Sequence, residues 1–119
     1  MLIPYTKVKV RTDVAASTDP IESSAVDVPQ GIKVLSAYVV NKSNAVGTSI
    51  VFGLKSGSLY IPMKVAGATA AGVPVMIDTP FNMAKDEKLY AIMTTPTAAD
   101  TIVFVIFGEF SETISRHQL

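Results

Sequence analysis

Apolar residues recur at every second position in short runs along this chain, and Gly, Pro, Asn or Asp breaks the runs about every ten residues. Period two is the signature of a strand with one face buried, and no segment carries the 3.6-residue period of a long helix. The first run, Thr6 to Val14, sets Val8, Val10 and Val14 against Lys7, Lys9, Arg11 and Asp13, which predicts a half-buried strand near an edge. Ile21 to Val28 predicts a weaker strand, partly exposed through Ser23, Ser24 and Asp27. Pro29-Gln30-Gly31 is a turn, since Pro presets its own φ and Gly accepts a positive one.

Ile32 to Asn41 is apolar on both faces and predicts a central strand. After the loop Asn41 to Gly47, Thr48 to Lys55 turns Ile50, Phe52 and Leu54 inward, and Ser56-Gly57 reverses the chain into Ser58 to Val65. Pro62 lacks the amide hydrogen of an internal ladder, so this strand belongs at an edge or a bulge. Val73 to Asp78 carries Pro74 and reads the same way. Thr79 to Lys88 predicts a solvated loop with one helical turn at most. Glu87 to Thr95 faces Leu89, Ala91 and Met93 one way and Tyr90 and Ile92 the other, and Thr101 to Phe110 is the most apolar run of all.

Eight strands without helices predict an all-β fold, a single antiparallel β-sandwich. The jelly roll is the preferred strand order and the immunoglobulin-like sandwich the alternative. Residues 1–119 form one domain, with an arm over residues 1–5 and a polar tail over 111–119. The arm, Leu2, Ile3, Pro4 and Tyr5, is apolar and held extended by Pro4, so it can reach a neighbour.

The last strand raises a packing problem. Ile102, Phe104 and Ile106 point one way while Val103, Val105 and Phe107 point the other. One set fills the core, and a two-layer sandwich has no helix to lay over the second. Charged residues are 17% of the chain, against about 25% in typical domains, so uncovered apolar surface is expected to meet a partner. Val103, Val105 and Phe107, with Leu2 to Tyr5, are the candidate subunit interface, and a homo-oligomer is expected.

Charge and composition exclude more than they suggest. Ten basic residues balance ten acidic ones, which leaves no field to draw nucleic acid or an anionic membrane. Lys7, Lys9 and Arg11 read as a solvated strand face in preference to a phosphate contact. With no cysteine, disulfides, thiolate metal sites and thiol catalysis are absent together. No basic stretch leads into a signal-length apolar segment, and the six-residue run Ile102 to Phe107 is far short of the roughly 20 residues of a membrane helix. Synthesis and retention in a cytoplasm are expected.

No constellation for chemistry assembles. Gly53-Leu54-Lys55-Ser56-Gly57 has the wrong spacing for a nucleophile elbow and leads into a strand. His117 stands alone in the tail. Asp78, Asp86, Glu87, Asp100, Glu109 and Glu112 are scattered over turns and strand ends, while Asp13, Asp19, Glu22 and Asp27 lack the spacing of a calcium loop. No glycine stands in a phosphate-binding frame, and Asn41-Lys42-Ser43 reads as a turn more than as a glycosylation sequon. The chain is therefore expected not to be an enzyme and to hold no cofactor or metal. Tyr5, Tyr38, Tyr60 and Tyr90 could stack sugars if they converged, but tyrosines in strands ordinarily pack with the hydroxyl at the rim.

The start into Leu2-Ile3-Pro4-Tyr5, the stretches Val28-Pro29-Gln30-Gly31 and Ala37-Tyr38-Val39-Val40-Asn41, and the Ser/Thr/Ala-rich apolar strands resemble small β-sandwich virion proteins of tailed bacteriophages, with head decoration or cement proteins as the nearest group. The resemblance is one of style over most of the chain. It implies a non-catalytic protein that binds a capsid lattice at subunit junctions, often as a trimer, and stabilises it within the virion after synthesis in a host cytoplasm. A tail or fibre component, or a carbohydrate- or receptor-binding module, are the alternatives.

Overall fold

A computed structural model describes residues 5–16, 20–47, 49–94 and 99–111. Nine strands run through them: β1 (Tyr5–Ala15), β2 (Ile21–Glu22), β3 (Ile32–Asn41), β4 (Ile50–Ser56), β5 (Leu59–Ala66), β6 (Val75–Ile77), β7 (Phe81–Met83), β8 (Lys88–Met93) and β9 (Thr101–Ser111). They form two antiparallel sheets. One has the order β1-β9-β3-β6 with β7 also on β3, and the other the order β2-β8-β4-β5. The fold is the predicted all-β sandwich.

The pairing is nested: β1 with β9, β2 with β8, β3 with β6 and β7, β4 with β5. With β6 and β7 counted as one interrupted strand on β3, this is a long double ribbon rolled into two sheets, the jelly-roll order. The hairpin at the ribbon's tip turns at Gly57, whose φ of 60° lies where only glycine is at ease.

The core lies between the sheets and follows the alternation. Ile50 and Phe52 of β4, and Leu89, Ala91 and Met93 of β8, face Val34, Ala37 and Val39 of β3 and Ile102, Phe104 and Ile106 of β9. Phe52 and Phe104 meet across the layers with ring centroids 6.1 Å apart.

Four expectations change. Strand structure in the Ile21 to Val28 run stops at Glu22. Beyond it Ser23 and Val26 still donate backbone hydrogen bonds to Leu89 and Glu87, but Val26 turns inward while Ser24, Ala25 and Asp27 are exposed, so the segment packs as a loop. The Val73 to Asp78 run shrinks to three residues, with Pro74 just outside it. The expected loop 79–88 contains β7, hidden in the sequence because three residues between Pro80 and a charged run are too few to show a period. Tyr5 and Ser111, expected in the arm and the tail, are the last pair of the β1–β9 ladder. Leu2, Ile3, Pro4 and residues 112–119 lie outside the described residues.

Candidate functional site

The register of β9 decides what covers its second face. Val105 stands between Arg11 of β1 and Tyr38 of β3, Val103 between Asp13 and Val40, and Phe107 opposite Lys9 and Ser36. Residues opposite one another share a face, so each apolar residue of β9 has a neighbour on both sides. Val103 and Val105 are only 3% and 1% exposed in the single chain, forming with Val40 a small second cluster edged by Tyr38 and Phe107. The Lys9 ammonium stands 5.6 Å from the Phe107 ring centroid, and Tyr38 lies 6.2 Å from the same ring. Long cationic side chains lay their stems along apolar surface while the charge stays wet. Of the three expected contact residues on β9, Phe107 therefore keeps surface to offer, while Val103 and Val105 have little left. Of Tyr5 only the strand pairing is described.

The exposed apolar surface lies instead on β5, which sequence reasoning placed at an edge without marking it as a contact. Leu59, Ile61, Met63 and Val65 are all exposed, Leu59 by 62% and Val65 by 67%. Leu59 and Ile61 share the inward face with Leu54 and Ser56, but at the edge of the sheet they stay exposed. Val65, Val51 and Ile92 form a cross-strand row on the outer face. Met63, Lys64, Met76, Ile77, Asp78 and Thr79 line a cleft of about 420 Å3 between β5 and β6. Pro62 and Lys64 were the available signal: a proline and an inward charge are devices of an edge strand.

Above the Val65 row, the same outer face carries a polar network drawn from four strands, β2, β4, β5 and β8. Glu22 accepts hydrogen bonds from Lys55 at 3.0 Å, the Tyr60 hydroxyl at 2.8 Å and Lys88 at 3.4 Å. Tyr60 packs edge-on against Tyr90 at 4.9 Å, and Lys55 lies 5.2 Å from the Tyr60 ring centroid. Residues 22, 55, 60 and 88 are too far apart in sequence to reveal this grouping; sheet register alone assembles it.

The Lys55 hydrogen bond, followed by that of Tyr60, holds the Glu22 carboxyl below its usual 4.5 against the opposing effect of burial. A lowered carboxylate stabilises the fold fully above the unfolded value, and the gain is lost as pH falls through the folded one. Glu22→Gln is therefore expected to cost about 1 kcal/mol or less near neutrality and almost nothing well below pH 4.5. Melting curves of both proteins at a series of pH values check this, and a gap that stays constant into acid would contradict it.

The remaining chemical candidates are accounted for by structure. The buried Asp100 accepts from the Asn41 amide at 2.9 Å and from the Asn44 amide, while the Asn41 carbonyl oxygen accepts the backbone N–H groups of Ser43 and Asn44. This pins loop 42–46 to the start of β9, and it buries the sequon asparagine at the end of β3. Asp13 pairs with Arg11 at 2.8 Å, apart from the partners of Glu22. Ser56 ends β4, and His117, Asp19 and Glu112 lie outside the described residues. Among the described residues no group of three His, Cys, Asp or Glu side chains could hold a metal ion. The three tyrosines with described side chains do not converge on one face: Tyr38 is on the outer face of one sheet, Tyr60 and Tyr90 on that of the other, and Tyr90 is buried.

No family model matches the chain, and no curated protein matches it in sequence. Among solved structures, the chain is similar to a subunit of Bacillus endospore appendages, described as a novel family of disulfide-linked pili. The two superpose with a TM-score of 0.57 at 18% identity, over 93% of this chain and 91% of that one. What this chain shares with that pilus subunit is the sandwich fold, along nearly the whole of both.

Proposed function

We propose that the protein is a non-catalytic structural subunit that works by joining other protein subunits in an ordered assembly. The observation that carries this reading is β5, an eight-residue edge strand with apolar side chains exposed on both faces. A small soluble domain seldom leaves so much contiguous apolar surface in water unless a partner covers it. The likeness to a pilus subunit supports the same class of role. With no cysteine, this chain would join its neighbours through packing and strand edges, not through the disulfides of those appendages.

In its finer form the assembly is a bacteriophage head, where this subunit, as a homo-oligomer, binds the capsid lattice at subunit junctions as part of the virion. The resemblance carried by Leu2 to Tyr5 and by Val28 to Asn41 supports that form. Binding to the assembled lattice but not to free subunits stabilises the lattice by the binding free energy itself, and several copies bridging adjacent capsomers gain avidity.

Light scattering of the purified protein over a dilution series tests the reading. A mass that is a multiple of 12.6 kDa is expected. Leu59 and Val65 are each worth about 1.5–3 kcal/mol if fully covered, so the double variant Leu59→Ser, Val65→Ser is expected to raise the dissociation concentration by at least about tenfold. Its melting temperature in the dissociated state should stay close to that of the parent, because neither residue is in the core. A parent that is monomeric throughout the series would overturn self-assembly.

A further inference from the structure

The flank opposite β5 is built differently. β1 pairs with β9 on one side and, among the described residues, with no strand on the other. Its 11 residues carry no proline and keep one register throughout, so its outward backbone groups are offered in sequence to an incoming strand. Beneath that open edge lies a groove of about 190 Å3 walled by Val8, Val10, Val26, Val28, Ile32 and Ile106. The loop that forms its floor is fixed on both sides. Ser24 donates its N–H to Thr12 Oγ1 at 3.2 Å, the Thr12 hydroxyl lies 3.1 Å from that of Ser24, and Val26 exchanges backbone bonds with Asp86 and Glu87. The groove is thus shaped in advance of any occupant, which lowers the cost of filling it.

Resting on the assembly reading above, we propose that this groove receives Leu2 and Ile3 of a second copy of the chain, laid along the β1 edge as an added strand. In such an added strand, backbone bonds supply affinity while alternate side chains fill the pocket. An apolar cavity of about 150 Å3 takes a benzene-sized guest, so this groove holds a branched aliphatic side chain with room to spare. Of the segments outside the described residues, Met1 to Pro4 is the one made entirely of apolar residues; the others are Ser17-Thr18-Asp19, Thr48, Thr95-Pro96-Thr97-Ala98 and the polar 112–119.

The donor must be another copy. The strand begins at Tyr5, and a two-residue reversal would bring Leu2 back only to the level of Tyr5, short of Val8 and Val10. A second β1 is the poorer occupant, since Lys7, Lys9 and Arg11 of two chains would face one another with only Asp13 of each in relief. Met1 to Pro4 carries no side-chain charge.

Because the chain has no cysteine, two single variants suffice for a test: Leu2→Cys and Val10→Cys, purified separately, mixed in equal amounts and oxidised. A 2–10 disulfide between the two chains is expected in clear excess over mixtures in which Lys85→Cys replaces Val10→Cys. Leu2→Asp and Val10→Asp should each raise the dissociation concentration about tenfold or more; Val10 is exposed and outside the core, and a melting curve of each variant separates lost folding from lost assembly. Cross-linking at the control level, with both Asp variants still assembled like the parent, would overturn the groove while leaving the assembly reading intact. A parent that is monomeric at every concentration, with no cross-link, would remove both.

Discussion

Phe52→Ala is expected to lower the unfolding free energy by about 3–5 kcal/mol. Phe52 is fully buried on the inner face of β4, and its ring meets Phe104 of β9 in the facing sheet. Truncation therefore removes apolar contact from both layers at once, in a core that neighbours on β3 and β8 hold too firmly to collapse into the space. Domains of this size have a total stability of about 5–15 kcal/mol, so the variant is left near its limit and its melting temperature drops by roughly 10 °C or more. Phe104→Ala should behave alike, and the double variant should lose about 0.5–1.5 kcal/mol less than the sum if the rings interact directly. Ile92→Ala, on the exposed face of β8, should change stability by about 0.5 kcal/mol or less. Equal losses at positions 52 and 92 in chemical denaturation would show that the core is not organised around the inter-sheet contact.

Much of this architecture was legible because the period of two is strict where a strand has one wet and one dry face. β3, β4, β8 and β9 came out within two residues of their bounds, β4, β8 and β9 with their faces correctly divided, and Pro62 marked β5 as an edge. In β3 strict alternation would group Val34 with Tyr38 and Val40, and Leu35 with Ala37 and Val39, but a bulge between Val34 and Ser36 turns Val34 inward with Ala37 and Val39 and leaves Leu35 exposed. β7 and the shortening of β2 were not legible. Three residues cannot display a period, and Ile21 to Val28 alternates well enough for a strand while Ser23 and Val26 find partners as a loop. Strand order was also out of reach. It is fixed by which ladders close, and sequence alone left jelly roll and immunoglobulin-like orders open.

The surfaces were read less well than the core, for a reason of geometry. Doubly apolar β9 suggested an uncovered outer face, but burial depends on neighbours within the sheet as well as on a layer above it. Tyr38 and Val40 on one side and Arg11 and Asp13 on the other flank Val105 and Val103 within the sheet. In sequence β5 alternates no less regularly than β4, yet it stays exposed at the edge of its sheet, on the side where the opposite sheet ends in the short strands β6 and β7. Alternation reports which residues share a face only until a bulge shifts the register, as it does in β3 after Val34 and in β5 opposite Gly53; it does not report how far the facing layer extends. The two flanks consequently differ, one apolar and blunted by Pro62 and Lys64, the other open at β1 with a groove beneath it.

Gly53 is the point where β5 is held to the molecule, and Gly53→Ala is expected to break that hold. A Cβ at this position would stand 2.1 Å from the Ile61 carbonyl oxygen and 2.9 Å from the Pro62 Cα. Both belong to backbone, so no side chain can swing away to relieve the contact. Gly53 also sits at the register shift of the β4–β5 ladder, opposite a proline that can donate no hydrogen bond. With the ladder already weakened there, the least costly response is for β5 to move off β4. Crowding of this severity costs about 3 kcal/mol or more, against little change for Gly67→Ala, where a Cβ meets nothing within 4 Å. Hydrogen exchange separates the outcomes: amides of β5 should lose protection while those of β9 and β3 keep theirs, and self-association should weaken in step. If Gly53→Ala matches Gly67→Ala in melting temperature and β5 protection, then β5 is not clamped at this glycine, and the apolar edge is held in place by its flanking hairpin alone.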